Sequence, residues 1–459
     1  MTSSIRPPKK LVLIVVDGMT PDAFEHAVSS GRAPTLAYLA AHGEYRRATS
    51  VFPSLTPVCL SSIATGAGPD VHHIPSLAWW NRQEKRIVEY GSSFSALRKA
   101  GFSQAVLDTI VNMNEHHLSR DATTVYEALE DAGFVAGAIN ITCYRGRHRH
   151  VSNVPGLRRA VHGPSRFFFY NLYESDRTGA PFSGRGRKGG SVDAYAAGVG
   201  RWLVTRDGFD FLVYYLSDYD LASHAHGPLG AMDVALERVD ASIRVLLDAA
   251  GGPDEFLDRY AVILLSDHGQ TAVERVARLE PHFADLHGQV VVTATNRVGQ
   301  VYLLPDATVD AADLARRLDR EPAVEVTVRR EGDEAVARRG GEDFPARELE
   351  HPDAAECVRA ALANPNAGEL LVSAAEGWEL IDLGGRHHEG GGSHGSLVAG
   401  DSFVPLLTIG VDGLAGSVAG KAADARPVDL APPARPARIT EVVPAVLRHF
   451  GVTPGSAGN

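Results

Sequence analysis

The sequence predicts an α/β fold with a mostly parallel central sheet, and three stretches carry that prediction. LVLIVVDGM (Leu11–Met19), FDFLVYYLSDYD (Phe209–Asp220) and AVILLSDHG (Ala261–Gly269) each hold a continuous apolar, β-branched or aromatic run. Runs of that length, bounded by turn residues, are the pattern of strands buried on both faces. Segments with helical spacing alternate with them, which is the order of an α/β protein. Each run also stops on acids. In open α/β sheets, ligands bind outside the carboxyl ends of the strands. A single Asp-Gly after a strand is an ordinary turn. Three acid-ended strands, in contrast, gather carboxylates that repel one another unless a cation compensates. The sequence therefore asks for a metal.

Taken in order, Leu11–Val16 is the first strand and Thr56–Gly66 a helix-length segment with Pro57 at its start and Gly66 as its stop. Asp121–Phe134 and Ala231–Gly251 have amphipathic spacing ending in Gly. From 289 to 350 the texture changes to short strand candidates (VVVTA, QVYLL, VEVTV), a helix near Ala311–Leu318 and charged, Gly-bearing connections. We read this as a small inserted α+β subdomain, with residues 1–288 and 351–455 forming a discontinuous core. SFVPLLTIG near Ser402 is a late core strand, Ala415–Arg438 a Pro- and Gly-rich surface loop, and TEVVPAVLRHFG the final helix.

Composition excludes several classes. A net charge of −11 over 459 residues argues against a general nucleic-acid binder. No apolar stretch approaches the roughly 20 residues of a membrane span. Cys59, Cys143 and Cys357 are sparse and odd in number, without a CxxC pattern, which points to a reducing, cytoplasmic setting and away from a disulfide framework or thiolate metal site. Between Asn140 and Gly190 stand ten Lys/Arg against two acids, either a solvated face or a rim that steers an anionic substrate. The sequence carries no signal for an oligomeric state.

The chemistry concentrates in a few places. In VFPSLTPVCLSSIATG, Thr56 is a good N-cap before Pro57, and a helix N-terminus favours an anion such as phosphate. Ser54 lacks that position and is the weaker nucleophile candidate. DLASHAHGP sets Asp220 and His224 four residues apart, on one face of a helical turn. SDHG pairs Asp267 with His268, and GGGSHGSL supplies His394 in a Gly-rich turn. With Asp17 and Thr56 these form an oxygen and nitrogen set without sulfur, suited to two divalent ions, Zn²⁺ first and Mn²⁺ second. Trp79 and Trp80 read as packing, and His387 and His388 as neighbours of the ligand set, one of which is the alternative to His394 as ligand.

These fragments, VVDG, FPSLTP with SSIATG and PDVHHI, DYDLASHAHGP, SDHG and GSHGS, resemble in identity and order the nucleotide pyrophosphatase/phosphodiesterase branch of the alkaline phosphatase superfamily. The resemblance implies an alkaline-phosphatase-like three-layer sandwich and two metal sites. One is formed by Asp220, His224 and His394, the other by Asp17, Asp267, His268 and Thr56. It further implies that Thr56 attacks phosphorus and forms a phosphothreonine intermediate. The substrate would be a small anionic phosphate ester, with phosphodiester or pyrophosphate cleavage expected. Phosphomonoester or phosphonate hydrolysis is the alternative, and a non-catalytic binding protein a more distant one. The family pattern includes an Asn donor to a phosphoryl oxygen. The helix after Thr56 holds no Asn, Cys59 standing three residues on, so Asn112 and Asn114 are the substrate-binding candidates, with an Arg of the basic stretch as the alternative donor. The usual HGI is HHI here, with His73 in place of Gly.

Overall fold

The computed structural model describes residues 8–91, 102–152, 159–169, 172–175, 191–351, 353–383, 387–411, 414 and 437–453. Its frame is a nine-stranded sheet. The strands run in the order 437–438, Glu44–Thr49, Phe403–Ile409, Tyr260–Leu265, Lys10–Val16, Phe211–Leu216, Ala136–Ile139, Arg166–Phe169 and Tyr173–Ser175. The three acid-ended strands lie side by side at its centre. Lys10–Val16 pairs in parallel with both Phe211–Leu216 and Tyr260–Leu265, with Val16 opposite Leu216 and Val15 opposite Leu265. Their carboxyl ends are thus level, and whatever follows each strand arrives at one edge. Phe403–Ile409 runs antiparallel to both of its neighbours, Tyr260–Leu265 and Glu44–Thr49.

Alternation along the first strand explains the continuous apolar run. Leu11, Leu13 and Val15 enter the hydrophobic cluster on one face, while Val12, Ile14 and Val16 enter that on the other. Helices cover both faces. Pro21–Ser30, Pro34–Ala41, Val192–Thr205 and Asp218–Ala250 supply the second cluster, and Thr56–Thr65, Val125–Asp131 and Val442–His449 the first. The helix read from Ala231 starts at Asp218. It breaks at Gly227 (φ 76°, ψ 161°), followed by Pro228, so a short segment carrying Asp220 and His224 is set apart from the long packed one.

A second, antiparallel sheet runs Val290–Thr295, Val298–Leu303, Leu370–Ala374, Val324–Glu331, Glu334–Arg339 and Glu342–Pro345. Its strand Leu370–Ala374 lies beyond residue 350, so the sheet does not end at the boundary drawn from the sequence. The correction has a physical reason: that strand joins by pairing with Val298–Val301 and Val324–Arg329, contacts that local texture does not encode. One face of the sheet joins the central core, since Tyr302, Val326, Val328 and Leu371 belong to the same hydrophobic cluster as the central strands, while the other face packs a cluster of its own with Leu279, Leu314, Leu370 and Val372. Among the described residues no helix is long and apolar enough to cross a membrane. Residues 176–190 of the basic stretch and 415–436 of the loop read from Ala415 lie outside the described residues, while 437–438 at the end of that loop form the edge strand.

Candidate active site

The level strand ends deliver the acids. Asp17 directly follows its strand, and its N–H donates to Leu216 O at 2.9 Å. The glycine after it has φ 69°, and its N–H donates to Asp267 Oδ1 at 3.2 Å. His268 N–H donates to the same oxygen at 3.1 Å. Asp220 and His224 come from the first turns of Asp218–Ala250, four residues apart, with Asp220 Oδ2 3.3 Å from His224 Nε2. His268 Nε2 lies 3.2 Å from Asp17 Oδ1 and 3.0 Å from Thr56 Oγ1. Asp17, Asp267, His268 and His394 are buried.

Thr56 is not the cap. Leu55 holds that position in an extended conformation and Thr56 is the first helical residue. Its hydroxyl does not turn back onto the helix because it meets His268. The N-terminal end of a ten-residue helix still faces the cluster, where its dipole favours an anion. Ser54 is fully buried, with its hydroxyl donating to Ser396 O at 3.1 Å, and is committed to structure.

Charges in this cluster oppose one another. Burial, followed by the charges of Asp267 and Asp220, raises Asp17 well above the usual carboxylate range. Burial and then Asp220 push Asp267 to about 7. At Asp220, burial is outweighed by His224, which holds it low. His224 is lifted to about 9 by Asp220, against its own burial. Burial, then His268, depresses His394 well below its ordinary value. Neutral acids beside a charged histidine are what a carboxylate cluster settles for without a cation.

The residues fit divalent metal ions. Asp17 Oδ1 and Asp267 Oδ2 are buried without a hydrogen-bond partner. Each histidine turns Nδ1 to a backbone carbonyl: His224 to Gly392 O at 2.7 Å, His268 to Gly269 O at 3.0 Å, His394 to Ser54 O at 2.8 Å. That contact fixes the tautomer and leaves Nε2 as the ligand atom. Two groups of donor atoms lie within 4.8 Å of one another, Asp220 with His268 and His394, and Asp17 with Asp267 and His268. His268 belongs to both, and its ring stacks on His394 with centroids 3.6 Å apart. All seven expected residues therefore converge.

A cavity of about 450 Å³ opens onto them, lined by Thr56, Asp220, His224, Asn296 and His394, with Leu77, Tyr90, Met113 and Leu221 as its apolar wall. Asn112 and Asn114 do not line it. Asn112 donates to Asp108 Oδ1 at 2.7 Å. Asn114 is fully buried and braces the 142–145 segment, donating to Thr142 O and accepting from the N–H groups of Tyr144 and Arg145. Both sit in a π-helix, Asp108–His117, that turns Thr109 and Met113 to the cavity instead. Trp79 is buried core and packs edge-on against His117. Cys59 is buried 3.2 Å from Ser50 Oγ, and all three cysteines are free and buried.

Several participants escaped the sequence reading. Tyr215 hydroxyl donates to Asp17 Oδ2, and Gln270 Nε2 donates to Asp220 Oδ1. His388, which the sequence already sets beside the ligands, stacks on His224 at 4.1 Å and is held by Glu379 at 2.6 Å. Only the proximity of His388 to GGGSH in the chain signalled any of these.

The class this arrangement defines is that of phosphoester hydrolases, with a hydroxyl at a helix start beside buried acids and Nε2-directed histidines. Residues 11–397 match the family model described as Type I phosphodiesterase / nucleotide pyrophosphatase. The chain belongs to that family, within the alkaline phosphatase superfamily, whose members generally depend on divalent metals. Among solved structures it is similar to murine ectonucleotide pyrophosphatase/phosphodiesterase 5, with TM-score 0.63 and 14% identity over 98% of this chain and 97% of that one. It is also similar to phosphonoacetate hydrolase from Sinorhizobium meliloti, with TM-score 0.62 and 18% identity over 97% and 96%. No curated protein sequence matches.

Proposed function

We propose that this enzyme is a two-metal hydrolase that cleaves phosphodiester or pyrophosphate bonds of small-molecule substrates, nucleotide esters included, through a phosphothreonine at Thr56. The observation that carries this reading is the Thr56 hydroxyl, which lines the cavity and lies 3.0 Å from His268 Nε2. Asp220, His224 and His394 would hold one ion, and Asp17, Asp267, His268 and Thr56 the other; the donor chemistry suits Zn²⁺. Bound there, two divalent ions supply positive charge that favours the Thr56 alkoxide and offsets charge on the transferring phosphoryl oxygens. Thr56 Oγ1 releases its proton to solvent and attacks phosphorus in line, and the ester or anhydride oxygen departs with the bonding pair. Water then adds to phosphorus, and Thr56 Oγ1 leaves and regains its proton. Leu77, Tyr90, Met113 and Leu221 give the organic part of the substrate an apolar wall. An inactive threonine-to-alanine form of the murine relative, in complex with AMP, supports the same assignment here. Three buried free thiols support a reducing, cytoplasmic compartment.

The test pairs metal analysis with a panel of p-nitrophenyl phosphate, bis-p-nitrophenyl phosphate, thymidine 5′-p-nitrophenyl phosphate and phosphonoacetate. Two metals per chain with preference for the diesters is the expected result. Preference for the monoester or the phosphonate shifts the substrate and keeps the site. Thr56→Ala should abolish turnover with metal content and folding retained; surviving turnover would remove Thr56 as nucleophile. Replacing Asp220 and His224 together by Ala should remove about one metal of the two.

A further inference from the structure

Asn296 stands in the wall of the same cavity as Thr56, yet it comes from the second sheet. It opens the two-residue turn between Val290–Thr295 and Val298–Leu303. Its φ of 55° is left-handed, a conformation that Asn tolerates. The turn is fastened on both sides. Leu380 N–H donates to Asn296 O at 2.7 Å, and Arg297 N–H to His394 O at 2.9 Å. Thr295 Oγ1 lies 3.1 Å from Asn296 Oδ1, and the residue is only 8% exposed.

Its Nδ2 lies 3.3 Å from His394 Nε2. Because His394 Nδ1 is 2.8 Å from a carbonyl, Ser54 O, Nδ1 carries the proton and Nε2 the lone pair. Asn296 therefore donates to the one lone pair through which His394 would bind a metal. With that lone pair engaged, the amide N–H loses its acceptor and is left facing the cavity, where a buried unpaired donor is costly.

We propose that Asn296 is a substrate-binding residue whose Nδ2–H donates to a non-bridging oxygen of the phosphoryl group. This rests on the two-metal reading above and names a group that recognises its substrate. A phosphoryl group in reach of Thr56 is also in reach of this amide. Thr56 Oγ1 meets His268 at 3.0 Å, Asn296 meets His394 at 3.3 Å, and the two imidazoles are stacked. A turn alone explains the left-handed backbone; it does not explain a near-buried amide aimed at a ligand nitrogen.

Asn296→Gly and Asn296→Asp both tolerate the turn and discriminate the roles. The measurements are inorganic phosphate binding by calorimetry to the metal-loaded proteins, metal content, and melting temperature. Metal content and melting are expected to match wild type in both variants. Phosphate affinity is expected to fall about tenfold in Asn296→Gly, the scale of one hydrogen bond to a charged group. In Asn296→Asp it is expected to fall further, because a carboxylate repels the ligand. Wild-type phosphate affinity in both variants overturns the assignment. So does parallel loss of metal and phosphate, which would make Asn296 a support of His394 alone. A wild-type protein that holds no metal and binds no phosphate overturns the hydrolase reading itself, and this assignment with it.

Discussion

Gly18 and Asp220 approach so closely that a Cβ on Gly18 would stand 2.7 Å from Asp220 Oδ1. The Asp-Gly that ends the first strand is thus both a turn and a contact surface. Its positive φ aims the Gly18 N–H at Asp267, and its missing side chain leaves room for Asp220. Gly18→Ala is expected to cost at least about 1–2 kcal/mol from the left-handed backbone alone, and to lower metal content by displacing Asp220. Denaturant titration and metal analysis check this; wild-type values in both would mean that the strand end has slack.

His73 is expected to be a stability defect. It ends the short helix Pro69–His72 at φ 65°, ψ 12°, a position that favours glycine. His73→Gly should stabilise the fold by about 1 kcal/mol, with turnover unchanged. A lower urea midpoint for the variant would show that the imidazole makes a contact worth more than the strain.

His72 should make the fold acid-sensitive. It is fully buried, with Nε2 3.1 Å from Ser62 Oγ and Nδ1 accepting from Ile74 N–H at 3.1 Å. Burial, then neighbouring His73, lowers its pKa to about 3. The unfolded chain takes up this proton near pH 6.5 and the folded one only near 3, so stability is full above 6.5 and is lost as pH falls toward 3. The loss from this residue at pH 4 is about 3 kcal/mol at 1.36 kcal/mol per pKa unit. His72→Gln should flatten the pH dependence of the unfolding free energy across that window; an unchanged slope would assign it to other groups.

Arg297 and Asp401 are both fully buried and paired at 2.9 Å. Asp401 also accepts from Ser396 N–H at 2.9 Å and from Thr271 Oγ1 at 2.5 Å. Arg297→Met leaves that carboxylate without its cation, at an expected cost of about 3–5 kcal/mol. Asp401→Asn combined with Arg297→Met should recover part of it. Equal stability of the single and double variants would argue against an uncompensated charge as the cause.

The central sheet was legible because strands buried on both faces need continuous apolar runs, and Leu11–Val16 obeys that requirement residue by residue. The acids and histidines were legible because the chemistry fixes their types at strand ends and turns. Thr56 was misplaced by one position. A capping hydroxyl and one aimed across at His268 share the same local sequence, Thr-Pro, and only the tertiary partner tells them apart. Asn114 looked available because nothing local shows that its amide is spent on the 142–145 backbone. Asn296, Tyr215 and Gln270 are placed by strand register and by a second sheet, so their roles are absent from their own neighbourhoods. The second sheet outran residue 350 for the same reason.

The Gly-rich turn before His394 meets the segment that carries His224 backbone to backbone. A Cβ on Gly391 would collide with His224 O, Gly227 faces Gly391 O across the join, and His224 Nδ1 is held by Gly392 O. No side chain intervenes, so no rotamer change can absorb an error there. In a scan of every substitution at every position, Gly391 should be as intolerant as His224, although it carries no reactive group.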